Sequence, residues 1–527
     1  MKPLFNITEY NMKQIIISIL TLFPIVSYGF TVDNISYSTY GDMYAQVVGY
    51  DKNVVNVVIP SEVTYDGKTY QVKKIKDKAL YCSTTSNSKM QTLVVSEGVE
   101  IIGVQAITGN RQLKTVTLPS TLVEIGESAF DELSSLKTVT FPNGSNLQTI
   151  SKKAFNDCKN LETIQFYPNG TETSNIHPTF PETVVTIGDY AFNSVPAFKN
   201  LVLHGELTKI ANYTFANCSN IEYIWLKEGI TQVGQYSFYD CPNISYVVLP
   251  STLSNVLTGA FTCTYKNGKT TRTSNITFVL LGDDPFKYSP RAQTEVYGLW
   301  LPANIDAING DHFYVKESAI EKYRDAWKKG IASTYFDYKI PFNSNLSYST
   351  NCREFDTDYH VTATNGNLPF VATGFAEGWA SFTSLDDGIV PAETPALIRK
   401  KSDENTWYQI AEQQGAQINM TNYLKGVLYA DEISPVTDDG LINYVLYNGE
   451  FCRFDNAGIL GDHKAYLQLP GTTATIYSIA FVEGCTNGIS KVASDKMKSD
   501  IYGINGLRVI NPTKGIYIKN GKKFIIK

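Results

Sequence analysis

The sequence predicts a mainly β protein: a solenoid of short stacked repeats with short helical or irregular returns, followed by an all-β, sandwich- or barrel-like domain. Three observations carry this prediction. Two sequence blocks recur in phase at about 23 residues through much of the first 290 positions. Only 18% of the 527 residues are charged, against about 25% in an average soluble domain, so uncharged groups must supply the polar surface. Beyond residue 343 the apolar pattern changes to a period of two, punctuated by Gly, Pro and Asp-Gly turns.

Composition already bounds function. A hydrophobic content of 43% fits globular protein, and a net charge of −6 with a pI near 5.6 gives no support to a nucleic-acid or anionic-membrane partner. The 5 His against 34 Tyr make acid–base and metal residues scarce and contact-forming aromatics plentiful, which leans toward binding rather than catalysis.

Residues 1–29 read as a secretory signal peptide. Lys13 precedes an apolar run from Ile15 to Val26, and Ser27-Tyr28-Gly29 places small residues before a cut. The run is too short to span a bilayer, and no later stretch is long enough for a membrane helix. Met12 is an alternative start. The first Cys is Cys82, too far away for a lipid-anchored leader, and eight Cys in a chain of this length do not make a disulfide scaffold.

Residues 30–88 are expected to form an N-terminal β cap and first repeat, and residues 89–285 the repeat array. Leu113–Leu118, Leu136–Phe141, Leu161–Phe166, Ile221–Leu226 and Ile244–Leu249 share the template L-x-x-L-x-L, with looser copies at Met90, Phe198 and Ile276. A second block, I-G-x-x-A-F, keeps phase at Ile125, Ile150, Ile187, Ile210 and Val233, with weaker copies at Ile75, Ile102 and Val256. Each copy should be a strand, a Pro-containing turn and a short return whose Ala and Phe fill the interior. One copy cannot bury its apolar edge, whereas stacked copies share a continuous core.

These blocks resemble leucine-rich repeats of the BspA-like type, found on secreted and surface proteins of anaerobic bacteria and some mucosal protists. The resemblance covers roughly residues 30–290, including the lead-in Pro60–Tyr70. It implies a leucine-rich-repeat solenoid, a secreted, extracellular or outer-membrane-surface location after signal-peptide cleavage, and adhesion to host proteins and matrix.

In the strand template the fourth and sixth residues point inward and the third and fifth outward. Read this way, the array displays a Thr ladder over its first half and an apolar, aromatic patch of Tyr223, Trp225, Tyr246, Val248 and Phe278 over its second. Such a patch either binds a ligand, protein or glycan, on the concave face or packs against the following domain. A secondary candidate is the loop Cys263–Asn275, whose Lys266, Lys269 and Arg272 make a local basic tip, or merely a solvated hairpin. Cys158, Cys218 and Cys241 each follow the repeat Phe by three positions, as small buried residues turning the chain would. A close approach of Cys218 to Cys241 in adjacent coils is the other reading.

Residues 286–342 should cap the solenoid. Apolar residues at 319, 320, 323, 326 and 327 have helical spacing, and Ser318 with Glu321 suggests a capping box. Residues 343–485 read as an all-β accessory domain, 486–499 as a linker and 500–527 as a β tail. That tail is similar to the end of type IX sorting signals but short, so it is either a sorting remnant or a plain hairpin.

No nucleophile elbow, phosphate loop or zinc-helix motif occurs, and no cofactor, metal or catalytic residue is expected. The Gly-Asp-His tripeptides at His312 and His463, the Asp356/Asp358 pair and Asp438-Asp439-Gly440 read as turns. Two function classes follow. The first is a non-enzymatic secreted or surface binding and adhesion protein, recognising an extracellular host protein or glycan through its concave face. The alternative is an exported glycan- or peptide-processing enzyme with its site in the β domain. Oligomeric state stays open.

Overall fold

The computed structural model describes residues 29–83, 87–142, 144–166 and 180–263, shorter runs from 265 to 288, residues 312–327 and 336–341, runs between 348 and 482, and three strands between 501 and 526. The expected leader up to residue 28, the linker, Arg272, Asp356, Asp358 and His463 lie outside the described residues. The chain forms two compact units, residues 1–167 with 186–195 and residues 168–185 with 196–527.

The first unit opens with three antiparallel strands, Gly29–Val32, Ile35–Tyr40 and Tyr44–Tyr50. Lys68–Ile75 then pairs parallel to Tyr44–Tyr50 and antiparallel to Glu62–Tyr65. Onto its end stack the two-residue strands Ile101–Ile102, Glu124–Ile125, Thr149–Ile150 and Thr186–Ile187, all parallel. These are the starts of the I-G-x-x-A-F block. The L-x-x-L-x-L block supplies a separate front sheet of Asn56–Ile59, Thr92–Val95, Thr115–Thr117, Thr138–Phe141 and Thr163–Phe166, again parallel.

Register follows the template. Leu93, Val95, Val116, Leu118, Val139 and Phe141 are buried between the sheets, as the alternation of a strand requires. The strand Asn56–Ile59 belongs to this sheet although the repeat spacing does not reach it. Val54-Val55-Asn56-Val57-Val58-Ile59 fits the template, but the hairpin between residues 62 and 75 separates it from the Met90 copy and breaks the period.

The returns are chains of turns rather than helices. Lys78, Gln105, Ser128, Lys153 and Tyr190 in the first unit, and Tyr213 and Tyr236 in the second, hold φ between 53° and 60° at the same repeat position. This left-handed step re-aims the backbone amides along the stack. Gln105 N donates to Glu127 O and Ser128 N to Lys152 O, each at 2.9 Å or less, and Ile107 and Phe130 repeat the pattern two residues on. The strain of a side chain at positive φ is offset by pairing every rung with the next. Inside, Phe130, Phe155 and Phe192 stack at 4.9 and 5.4 Å, and in the second unit Phe215, Phe238 and Phe261 at 5.6 and 5.2 Å.

Side chains also tie rung to rung. Glu97 accepts from Ser120 N at 2.9 Å, from Ser120 Oγ at 2.8 Å and from Thr121 N at 3.3 Å. Twenty-three residues is the repeat, and Glu228 does the same for Ser251 and Thr252 in the second unit. Cys158 Sγ donates to Phe130 O and Cys241 Sγ to Phe215 O, at 3.1 and 3.2 Å. Cys82, Cys158, Cys218 and Cys241 are buried thiols, and burial raises those of Cys158 and Cys241 far above the ordinary range.

The second unit has its own front sheet, Asn200–Leu203, Tyr223–Leu226, Tyr246–Leu249, Thr277–Leu280, His312–Tyr314 and Phe336–Asp337, in parallel order. Two rungs therefore follow the last recognisable repeat. His312 lies in one of them, not in a turn. The helix Ile320–Trp327 closes the end, burying Ile320, Tyr323 and Trp327, and Trp327 meets Phe286 and Phe313 edge-on at 5.0 and 6.0 Å.

Ser318 does not form the expected capping box. A 3-10 turn, Glu317–Ala319, precedes the helix, and Ser318 N and Oγ donate instead to Glu412 at 2.9 and 2.8 Å. A carboxylate from 94 residues downstream thus does at the cap what Glu97 and Glu228 do within the array.

The β domain contains two larger sheets. One is antiparallel, ordered Ile340–Pro341, Trp407–Ile410, Tyr359–Val361, Ile389–Val390. The other has nine strands between Tyr348 and Val482, and its Tyr348–Asn351 and Lys464–Leu469 strands approach each other, so it is nearly closed like a barrel. Phe370, Phe382, Leu397, Tyr444, Phe451 and Leu467 fill it. The tail forms a three-stranded antiparallel sheet.

Candidate functional site: the front sheets

Outward positions of the second unit's front sheet form two columns. The third-position column runs Asn200, Tyr223, Tyr246, Thr277 and His312, the fifth Val202, Trp225, Val248, Val279 and Tyr314. Phe278 belongs to neither. It pairs across from Val247, is 1% exposed, and stacks on Phe313 at 5.1 Å inside the solenoid. The expected register there was one residue off, because Ile276 offers an apolar first position one place too late. The outward residues of that rung are Thr277 and Val279.

The remaining patch residues are brought together, but not as an open surface. Trp225 and Val248 are 0% exposed and share one apolar cluster with Val202, Val279, Ile340, Val390, Ile398 and Ile410. Tyr223 and Tyr246, their rings 6.0 Å apart, pack against the same cluster. The four-stranded sheet of the β domain thus lies on these columns. Lys227 Nζ covers the Trp225 ring at 4.3 Å, a cation–π contact. The expectation of an exposed aromatic face is corrected here: the side chains point outward from the solenoid as the alternation requires, and the domain that follows buries Trp225 and Val248 and half-buries Tyr223 and Tyr246.

Front-sheet side chains of the first unit remain open. One outward column is Asn56, Thr92, Thr115, Thr138 and Thr163, the other Val58, Val94, Thr117, Thr140 and Gln165. Val58 is 52% and Val94 37% exposed. Strand pairing sets neighbouring rungs about 4.8 Å apart, so the hydroxyls and methyls form two regular rows beside two exposed valines. Exposed ion pairs edge this face, Lys137 with Glu162 at 3.4 Å among them, adding little stability but considerable polarity.

The basic loop is a short hairpin, Tyr265–Lys266 paired with Lys269–Thr270, and Arg272 lies outside the described residues. Asp438, Asp439 and Gly440 make a turn in which Thr437 Oγ1 bonds the Asp439 carboxylate and accepts from Leu441 N. Among the described residues no three His, Cys, Asp or Glu side chains converge as metal ligands, and no helix is long and apolar enough to cross a membrane.

Comparison with known proteins agrees with the repeat reading. The BspA type leucine rich repeat region matches in six copies over residues 73–177 and 172–291. No curated protein matches. Among solved structures, a leucine rich repeat protein of T. pallidum is 23% identical, covering 41% of this chain and 91% of its own, with a TM-score of 0.33. The pneumococcal vaccine antigen PcpA is 17% identical over 59% of this chain and 98% of its own, TM-score 0.31. A leucine rich cell surface protein of Faecalibacterium prausnitzii is 17% identical over 48% and 89%, TM-score 0.25. Residues 73–291, which supply most strands of the two front sheets at the repeat spacing, match the BspA type leucine rich repeat region in six copies.

Proposed function

We propose that the protein is a non-enzymatic binding protein, exported to the cell surface or beyond, that holds an extracellular protein or glycan on the front sheet of its first unit. One observation carries the choice of face. In the second unit Val202, Trp225, Val248 and Val279 are buried against the β domain with Tyr223 and Tyr246 half-buried beside them, whereas the columns of the first unit keep Val58 and Val94 exposed beside the Thr rows. An exposed apolar strip with hydroxyl rows offers apolar contact and hydrogen bonding at once, which is how a recognition surface is composed.

The leader supports export, and the repeat region supports an adhesive role. The test is to probe glycan and matrix-protein arrays with the mature full-length chain and then with Thr115→Arg/Thr117→Arg, which places bulk and charge on the open face. Loss of the array signal with unchanged melting supports the assignment. Retained signal in the folded variant removes it.

A further inference from the structure

At the start of the first unit the front sheet ends in an open edge. Asn56–Ile59 pairs with Thr92–Val95 on one side and, among the described residues, with no strand on the other. The carbonyls of Val55 and Ile59 accept from Thr92 and Ser96, so in this parallel ladder the odd residues face the neighbour. The N–H and C=O groups of Asn56 and Val58 therefore point to the open side. Free edges of this kind are templates for another strand, and proteins usually blunt them.

Here the edge opens into a slot of about 490 Å³, walled by Asp33, Asn34, Val54, Asn56, Val58 and Glu62. Its far wall is a hydrogen-bonded turn: Asp33 and Asn34, with φ of 48° and 68°, join Val32 to Ile35 in register, and Asn34 O accepts from Asp51 N at 2.8 Å. Val58, which lines the slot, is 52% exposed, and Val55 between the lining residues Val54 and Asn56 is 41% exposed. The charged residues lining the slot are Asp33 and Glu62, both acidic and both exposed.

We propose that this slot is a peptide-binding site that takes a short extended segment of a partner protein, apolar at alternate positions and carrying lysine or arginine at its ends, as an added strand on the Asn56–Ile59 edge. Main-chain hydrogen bonds to Asn56 and Val58 would supply affinity, and the two carboxylates would select a cationic segment. This site uses the backbone groups of Asn56 and Val58, the first members of the outward columns, and Thr115→Arg/Thr117→Arg two rungs away leaves that edge in place, so the two readings fail separately.

Fluorescence anisotropy with a labelled Lys-Val-Thr-Val-Thr-Val-Lys peptide and its Glu-for-Lys counterpart tests it on the full-length chain. The lysine peptide should bind at least about tenfold more tightly than the glutamate peptide, as expected for oppositely charged rims. Asn56→Pro/Val58→Pro removes the two edge donors and leaves the backbone ladder to Thr92–Val95 in place, losing there only the Thr92–Asn56 side-chain bond, and should weaken the lysine peptide by about tenfold or more, the loss expected when buried hydrogen bonds are deleted. If the proline variant does not fold, Asp33→Asn/Glu62→Lys decides, since it should abolish or reverse the preference for the lysine peptide. Absence of lysine-peptide binding, equal affinity for both peptides, or unchanged affinity in the folded variants would overturn the proposal.

Discussion

At the scale of single residues, the fold rests on contacts between successive rungs that leave no room for change. A Cβ built on Gly205 would lie 1.7 Å from Glu228 O, and one on Gly109, at φ +82°, 1.9 Å from Cys82 O. Gly205→Ala should therefore force the rungs apart and cost about 1–3 kcal/mol, the range for overpacked sites, measured as a lower denaturation midpoint. The Ser–Glu clamps are residue-scale devices too. Burial by itself would raise the Glu97 carboxyl, but the hydrogen bonds from Ser120 and Thr121 outweigh it and hold the group below its ordinary value. A carboxylate with a lowered folded pKa lends stability above its unfolded pKa and loses it as pH falls through the folded one. Glu97→Gln should thus be less stable than the parent at neutral pH, with the difference shrinking as pH drops below about 4, where carboxylates protonate. Parallel melting curves at pH 3 and pH 7 would show this convergence, and a constant difference would contradict it.

Element-scale features divide into those legible in the sequence and those that were not. The array was legible because each rung repeats the same buried positions, so Val116, Val139 and Ile224 are interchangeable in role and the spacing survives. The Asn56–Ile59 strand was hidden by the intervening hairpin, and the His312 and Phe336 rungs by their lack of a full template. The register slip at Phe278 has a similar cause: in Ile276–Leu281 nearly every position is apolar, so alternation alone cannot choose the phase. Ser318 shows a different limit, since its Glu412 partner is remote in sequence and local capping rules see only Glu321. Burial at Trp225 was open to either reading from its neighbours, because a side chain that leaves the solenoid outward can meet solvent or another domain. Trp225→Ala should now act as a core truncation, destabilising the second unit by about 3–5 kcal/mol. Hydroxyl-radical footprinting offers a check without mutation: Trp225 should stay protected in the native chain while Met43, Tyr44 and Tyr65 are oxidised.

The whole molecule assigns different work to its two units. In the second, the solenoid's front sheet is a platform on which the β domain rests, through Trp225, Val248, Ile398 and Ile410, and the helix with its Glu412 clamp fixes the end of the stack. In the first, Val58 and Val94 stay exposed beside the Thr rows, which makes this sheet the face proposed for a partner. The low charge of the chain follows from this economy: the rungs hold together through backbone ladders, hydroxyls and stacked rings, and rely little on ion pairs. The Tyr excess is likewise divided, with Tyr223 and Tyr246 serving the domain junction.

Binding on the front sheet of the first unit is the proposal on which the division between the two units turns. The most direct measurement is the affinity of the full-length chain for a ligand captured from the arrays, compared between the parent and Thr115→Arg/Thr117→Arg. Binding on this face predicts a loss of about tenfold or more, equivalent to about 1.4 kcal/mol, with melting temperature unchanged. Equal affinity of the folded variant and its parent would contradict it.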